Sequence, residues 1–198
     1  MCIKILTKWF SNHSVSLSKN DLDIRTAKDG FNFLNYQILP DRKCHKKRSF
    51  HIVPSKQAIQ LFNQNNREII QALKSGPIKL LIKSLKSRVL YWGRHYVNYS
   101  SRATFIYIDK VLFSQIRAAI LRRHPGKSKY WINNKYFPSN KIYYFEGKEY
   151  HTSWVLTDTS SLVGNFLPRI QWVRRMHYVK VVETKSLYDK DMSYWSKR

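Results

Sequence analysis

The chain has 198 residues, and its 36 Lys and Arg residues against 12 Asp and Glu residues leave a formal net charge of +24 at pH 7. A protein this basic associates with polyanions, which favours nucleic acid or an anionic membrane surface over a small acidic substrate. Hydrophobic residues make up 43% and aromatic residues 15% of the chain, which excludes a disordered basic tail. The two cysteines, Cys2 and Cys44, exclude a disulfide framework and a four-cysteine zinc site, and they favour a reducing compartment.

The amino-terminal part of the chain is predicted to form a small β-element. No segment reaches the roughly 18 apolar residues that a membrane span needs. The first twenty residues contain no Arg and lead into an alternating pattern, so we interpret them as the start of structure rather than a transit peptide. Between Leu22 and Leu39 this alternation predicts two strands with Asp29–Gly30 as the intervening turn. A basic loop follows, with a short strand predicted from His51 to Val53.

The middle of the chain is predicted to be helical. Ser55 is a capping residue for the first helix, Gly76 and Pro77 end it, and Pro77 opens the second. The third and fourth helices are predicted over 101–123 and 128–136. A hairpin turning at Glu146–Gly147–Lys148 and a last strand from His177 to Glu183 follow. The whole pattern predicts an α+β fold: a short amino-terminal β-element, a domain of three to four helices, and a carboxy-terminal hairpin and strand.

Helical periodicity separates an inward side from a cationic side on the longer helices. The residues predicted to face inward on the second and third helices are Ile78, Leu81, Ile82, Leu85, Val89, Trp92, Tyr96, Phe105, Ile108, Leu112, Ile116 and Ile120. Basic residues occupy other positions of the same helices. On the third helix these are Lys110, Arg117, Arg122 and Arg123.

The distribution of charge is the strongest functional signal in the sequence. Residues 69–145 contain fifteen Lys or Arg residues and a single acid, Asp109, which gives a net charge of +14. Such a helical surface is typical of nucleic-acid binding, because neutralising phosphates releases condensed counterions. Nearby aromatic residues could stack on unpaired bases, although helical spacing favours a core position for two of them, Trp92 and Trp131. The stacking candidates are Tyr91, Tyr99, Tyr130 and Trp131.

No pattern in the sequence indicates catalysis, a metal or a cofactor. The closest carboxylate pairs are interpreted as solvated turn acids rather than metal ligands. These pairs are Asp21 and Asp23, Glu146 and Glu149, and Asp189 and Asp191. Cys44–His45 lies among lysines and is interpreted as part of a basic RNA-facing loop rather than as a nucleophile. Metal-binding histidine spacings and glycine-rich nucleotide loops are absent from the sequence.

Two consecutive runs in the centre of the chain resemble the maturase-specific domain, or domain X, of group II intron-encoded maturases, which belong to a reverse transcriptase family. The runs are IVPSKQAIQLFNQNNREIIQALKSGPIKLLIKSLKSRVLYWGRHYV and FIYIDKVLFSQIRAAILRRHPGKSKYWINNKYF. The marks that carry the resemblance are Pro54-Ser55-Lys56, Arg67-Glu68-Ile69-Ile70, Trp92, Tyr96, Asp109, Arg122-Arg123-His124-Pro125, Lys127-Ser128-Lys129 and Lys135-Tyr136-Phe137.

The resemblance implies a carboxy-terminal fragment of such a protein with three parts. Residues 1–50 are similar to the end of the reverse-transcriptase palm and the entry to the thumb, where Gly30–Asn35 resembles a GF-x-FLG element with Asn35 in place of the last Gly. Residues 51–137 would be domain X, and residues 138–198 would be the spacer that precedes an HNH endonuclease. The polymerase signature Tyr-x-Asp-Asp is absent, and the chain ends where the endonuclease would begin, so the resemblance implies neither DNA synthesis nor DNA cleavage.

The expected function is that of a non-enzymatic protein that binds group II intron RNA and assists splicing by stabilising the folded intron. Alternatives are a docking subunit of a split reverse transcriptase/maturase, with Trp9, Phe10, Phe31 and Phe33 at the interface, or a decayed relic. AT-rich codon usage favours the plastid (chloroplast), with a mitochondrion or a bacterial cytoplasm as alternatives. The candidate RNA-binding residues are Arg42, Lys43, Lys46, Lys47, Arg48, Lys56, Lys79, Lys83, Lys86, Arg94, Arg122, Arg123, Lys127 and Lys129.

Overall fold

Helices and short antiparallel sheets share the chain in the computed structural model, which confirms the predicted α+β class. The structure describes residues 2–16, 29–40, 50–99, 101–160, 165–175 and 191–195, together with residues 182, 185 and 188. The chain divides into two compact units, Met1–Ile52 and Val53–Arg198.

The first unit begins with helix α1 (Cys2–Asn12), which the sequence analysis does not predict. Its apolar residues recur on one side of the helix, and that side is largely exposed: Ile5 and Trp9 retain 59% and 54% of their accessible surface. The sequence analysis predicts a β-element for this part of the chain because the residues after α1 alternate between apolar and polar. The helical spacing of the apolar residues within α1 was the signal that could have identified it.

A three-stranded sheet follows in the order β1 (Phe31–Phe33), β2 (Tyr36–Pro40) and β3 (Phe50–Pro54). The third strand confirms the short strand predicted before Pro54. The hairpin between the first two strands turns at Leu34–Asn35 and not at Asp29–Gly30, so the predicted position of the turn is wrong. Leu34 and Asn35 have φ of 45° and 66°, as a two-residue hairpin turn requires. Gly30 also has a positive φ, but the strand predicted before it lies outside the described residues.

The second unit contains four consecutive helices, and each predicted helix is confirmed. Ser55 caps the first of them, since its Oγ accepts a hydrogen bond from the Ala58 amide at 3.1 Å. This helix ends at Ala72, four residues before Gly76, because the chain already turns at Leu73–Ser75. Ser128 caps the last helix in the same way. The four helices are α2 (Lys56–Ala72), α3 (Ile78–Tyr96), α4 (Arg102–Arg123) and α5 (Lys129–Tyr136).

The core of the second unit lies where α2, α3 and α4 meet. Ten of the twelve side chains predicted to face inward on α3 and α4 are buried. The other two, Ile78 and Trp92, are half-buried, and the Trp92 ring packs against the rings of Phe62, Tyr96 and Phe105. The 3.6-residue period therefore identified the correct side of each helix.

The chain after α5 folds back onto these helices. The hairpin of β4 (Ile142–Phe145) and β5 (Lys148–His151) turns at Glu146–Gly147, which confirms the predicted hairpin. A buried cluster of Tyr143, Val155 and Trp172 supports it. The remaining described elements are β6 (Thr157–Asp158), β7 (Asn165–Phe166), a 3₁₀ turn (Ile170–Trp172) and α6 (Met192–Trp195). The 3₁₀ turn contacts both α3 and α4.

A buried carboxylate holds the 3₁₀ turn against the helices. Asp109 on α4 accepts hydrogen bonds from the Ile170 amide at 2.9 Å and the Gln171 amide at 3.2 Å. Arg169 Nε lies 3.7 Å from the same carboxylate. Burial raises the pKa of Asp109, while these hydrogen bonds and the Arg169 charge oppose that rise. The only acid in the basic stretch of the sequence therefore has a structural role.

The approach of the 3₁₀ turn to α3 depends on a glycine. A Cβ atom at Gly93 would lie 3.0 Å from Val173 Cγ2, closer than ordinary van der Waals contact. Asp109 and Gly93 thus fix the returning segment on two different helices.

Several predictions fall outside the described residues. These are the basic loop with Cys44 and His45, the carboxylates Asp21 and Asp23, the acid Asp189, and the strand from His177 to Glu183 apart from Val182. They stay predictions.

Candidate nucleic-acid interface

Four of the candidate cations lie on one side of α3. Lys79, Lys83, Lys86 and Arg94 are separated by four, three and eight residues, which confines them to an arc of about 80° at 100° per residue. Arg88 projects from a different side of the same helix, about 140° away from Lys83. The helix therefore carries one basic stripe rather than a uniform ring of charge.

The second half of this stripe interacts with the returning chain. Arg94 Nη2 lies 3.3 Å from Glu146 Oε1 at the hairpin turn, and 58% of the Arg94 side chain stays exposed. Lys86 Nζ lies 5.5 Å from the centre of the Phe166 ring. Lys79 and Lys83 are exposed, and within the described part of the chain no carboxylate pairs with either.

The start of the stripe lies beside the end of α4. Arg123 Nη1 donates a 2.7 Å hydrogen bond to the carbonyl oxygen of Gly76, three residues before Lys79. This bond satisfies a backbone acceptor just before α3 and brings the cations of two helices to the same end of the domain. Arg122, the neighbouring residue, is exposed.

Two lysines flank an indole ring on α5. Lys127 Nζ and Lys135 Nζ lie 5.4 Å and 4.7 Å from the centre of the Trp131 ring, within the range of cation–π attraction. Trp131 is half-buried, whereas Tyr130 beside it is 76% exposed. Lys135 was not among the candidate residues, although its spacing of four from Trp131 on a predicted helix was a signal that could have found it.

A histidine connects this lysine pair to the end of α4. His124 Nε2 lies 2.7 Å from the Tyr136 hydroxyl. Burial lowers the pKa of His124, and the charges of Arg123, Lys135 and Lys127 lower it further. The imidazole is therefore neutral at neutral pH and adds no charge to this corner.

We call the cations at this end of the domain the basic corner. Its members are Lys79, Lys83, Arg122, Arg123, Lys127, Lys129 and Lys135. None of them belongs to an ion pair among the residues that the structure describes. Lysine and arginine side chains without carboxylate partners can bind phosphate groups, and an exposed tyrosine among them can stack on a base.

Residues 59–137, which span most of α2 and all of α3, α4 and α5, match the family model described as group II intron, maturase-specific domain. This segment is a maturase-specific domain. The match confirms the family resemblance seen in the sequence, and it supports a role in group II intron splicing together with an association with intron RNA. No curated protein sequence matches the chain significantly.

The other candidate residues lie elsewhere. Lys56 is exposed on the first turn of α2, at the opposite end of that helix from Ala72. Lys86 and Arg94 interact with the returning chain, as described above. The candidates of the basic loop, Arg42, Lys43, Lys46, Lys47 and Arg48, lie outside the described residues. The basic corner of the maturase-specific domain thus brings together six of the predicted residues and adds Lys135.

Two features of the described residues bear on other functions. No group of three or more His, Cys, Asp or Glu side chains in these residues could hold a metal ion. No helix among them is long and apolar enough to cross a membrane.

Proposed function

We propose that the maturase-specific domain binds folded group II intron RNA at its basic corner and stabilises the form of the intron that is competent to splice. The intron RNA would carry out the chemistry, and the chain would supply binding energy without a catalytic residue of its own. The family match supports the RNA partner. The basic corner supports the location on the domain.

The observation that carries the proposal is that two acids near the helices bond to the returning chain, whereas the cations of the basic corner belong to no ion pair among the described residues. Asp109 and Glu146 are hydrogen-bonded to the returning segment, where they accept from the backbone amides of Ile170, Gln171 and Arg174. These two acids therefore bond to the returning chain and not to the cations of the basic corner. The basic corner keeps its charge, and a concentration of unneutralised cations attracts phosphates strongly.

Phosphate contacts of this kind position an RNA but do not read its sequence. Selectivity for one intron would come from the shape of the folded RNA and from stacking of unpaired bases on exposed aromatic side chains such as Tyr130. The neutral His124 beside the corner would offer a hydrogen bond rather than a charge.

The proposal can be tested with two double variants that remove the same charge. Lys79→Gln with Lys83→Gln changes the basic corner, and Arg88→Gln with Lys110→Gln changes exposed cations outside it. We expect the first pair to weaken binding to a transcribed group II intron and to lower the salt dependence of binding, the slope of log K against log salt, by about two. The control pair should change this slope much less.

The same variants should separate in a splicing assay. At a magnesium concentration that is limiting for self-splicing, the unmodified chain should accelerate intron excision and the corner variant should do so less. Equal slopes and equal splicing for the two variants would exclude the basic corner as the RNA-binding site.

We further propose that the chain acts in plastids. Crosslinking in plastids, followed by sequencing of the attached RNA, would identify the intron. A spread over all abundant RNAs would contradict a dedicated splicing role.

The first unit favours a second candidate function. Apolar side chains are exposed on its helix and on its first hairpin, including Trp9 at 54% and Phe33 at 59%, and exposed apolar patches mark interaction sites. We propose as the alternative that this unit docks onto a separately encoded reverse-transcriptase fragment. Co-purification of such a fragment, and its loss on Trp9→Ser with Phe33→Ser, would support the alternative. Recovery of the chain alone would contradict it.

A further inference from the structure

A groove lined by polar residues lies between α2 and α4, and its volume is about 720 Å³. This size is within the range of pockets that hold small organic ligands. Four of its six lining residues are side-chain amides, and the other two are an arginine and a glutamate. The lining residues are Asn63, Gln64, Arg67, Glu68, Gln71 and Gln115.

The groove contains polar atoms that the protein leaves unpaired. Asn63 Oδ1 and Gln115 Oε1 are buried and have no hydrogen-bond partner. Asn66, three residues along α2 from Asn63, has no accessible surface, and both its Oδ1 and its Nδ2 lack a partner. Among the described residues, every buried side-chain N or O atom without a partner belongs to these three amides. Buried polar groups are nearly always paired, so this concentration points to a missing binding partner.

The amides can become available with little disturbance to the helices. Gln115 Nε2 donates a long hydrogen bond of 3.4 Å to the carbonyl oxygen of Asn63. A rotation of the Gln115 side chain breaks only this weak bond and turns its Oε1 towards the groove. Gln64 Nε2 meanwhile donates to Glu68 Oε1 at 3.2 Å, which orients the carboxylate at the outer edge.

The chemistry of the lining fits the edge of a nucleobase. Each amide offers a donor and an acceptor side by side, the pattern that Asn and Gln use to bind adenine, and a carboxylate accepts hydrogen bonds from exocyclic amino groups. Arg67 is exposed and can stack on a base or bind the phosphate that joins it to the chain. Unpaired bases in RNA are recognised through such edge contacts.

We propose that the groove between α2 and α4 binds one unpaired nucleobase of the RNA, with Asn63 and Gln115 as the hydrogen-bonding residues and Asn66 as a positioning residue behind them. This inference rests on the proposed RNA-binding function and adds to it a site that reads a base rather than a phosphate. Arg122 lies seven residues after Gln115, on the same side of α4. The groove and the basic corner are therefore reached along one side of that helix.

The test compares RNAs of equal charge. Differences in their affinity for the chain therefore do not come from contacts with phosphates. Five hairpins would carry a single bulged nucleotide with adenine, cytosine, guanine, uracil or no base, and their affinity for the full chain would be measured by fluorescence anisotropy. We expect at least one base to tighten binding about tenfold over the abasic bulge, the discrimination given by a good pair of hydrogen bonds. Asn63→Ala with Gln115→Ala should reduce this ratio to about one and leave the abasic affinity unchanged.

Two further variants distinguish the loss of a hydrogen-bonding group from a defect in folding. Gln115→Met keeps the length and helix propensity of the side chain, so it should lower the base ratio without loss of the thermal transition. Gln57→Ala removes an exposed amide from the first turn of α2, outside the groove, and should leave the ratio at the wild-type value.

The outcomes distinguish this inference from the proposed function. If binding depends on salt but each of the four bases binds no more tightly than the abasic bulge, the proposed base-binding groove is wrong. The proposed phosphate-binding role of the basic corner is then unaffected. A ratio that survives in both Gln115 variants would also overturn it. Failure of all five RNAs to bind in a salt-dependent way would overturn both proposals.

Discussion

At the scale of single residues, Asp109 is the side chain on which the returning segment depends. It accepts two backbone hydrogen bonds from the 3₁₀ turn and faces Arg169. Asp109→Ala leaves two amides and a guanidinium without their acceptor, and we expect it to lower the free energy of unfolding by about 3 kcal/mol. Urea denaturation followed by circular dichroism measures this. Lys110→Ala, one residue along on the exposed side, is the control, and an equal effect of the two changes would contradict the role given to Asp109.

His124 should make stability depend on pH in a definite direction. Its pKa in the folded protein lies below 6.5, the ordinary value for histidine, so the unfolded chain binds more protons between those two values. The free energy of unfolding should therefore fall as the pH is lowered through 6.5 and level off below the folded pKa. His124→Gln should flatten this part of the profile, measured by urea denaturation from pH 5 to 8. Parallel profiles for the two proteins would be inconsistent with a lowered pKa of this half-buried imidazole.

At the scale of elements, the capping residue of α2 should have a measurable effect on stability. Ser55 is 2% exposed, and its Oγ accepts from the Ala58 amide. Ser55→Ala should lower the free energy of unfolding by about 1 kcal/mol, because it removes the partner of one of the free amides at the start of α2. Ser114→Ala, an exposed site within α4, should be neutral or slightly stabilising. A loss at Ser114 as large as that at Ser55 would show that the cap is not the cause.

The elements that could be predicted from the sequence are those fixed by neighbours in the chain. Ser55, Pro77 and Ser128 mark helix starts by their own chemistry, and the turn at Glu146–Gly147 does the same for the hairpin. The turn at Leu34–Asn35 was missed because Leu is a poor residue for positive φ, whereas Asn35 tolerates it. The asparagine in place of the expected glycine therefore preserves the local conformation.

Features that depend on distant partners could not be predicted. Asp109 is 61 residues from Ile170, and no local pattern connects them. Asn66 is a polar residue at a position where the helical period of α2 predicts an inward side chain, and it is fully buried. A polar residue at an inward position was the visible signal of the groove, but its meaning depended on Gln115 on another helix. The sequence predicts the basic residues of the corner but not their grouping at one end of the domain. That grouping depends on the hydrogen bond between Arg123 and Gly76, which forms only in the folded domain.

At the scale of the whole molecule, the folding unit extends beyond the matched domain. The family model ends at residue 137, while the 3₁₀ turn at 170–172 packs on α3 and α4. A fragment of residues 53–175 should show a cooperative thermal transition, whereas residues 53–140 should not, because the shorter fragment removes the hydrogen-bond partners of Asp109 and exposes the apolar surface that Ile170 covers. Circular dichroism melting curves measure both. A cooperative transition of the shorter fragment would contradict this boundary.

The hydrogen bonds of Asp109 and Glu146 to the returning segment have a consequence for how such a sequence can change over evolutionary time. A lysine of the basic corner is one of several that act together, so its replacement costs a fraction of the total attraction and can be restored by a new lysine nearby. Each of the two acids has partners that no neighbouring position can reach. Basic residues should therefore change position among related chains while Asp109 and Glu146 are retained, so that two acids rather than the many bases would mark this part of the chain in its relatives.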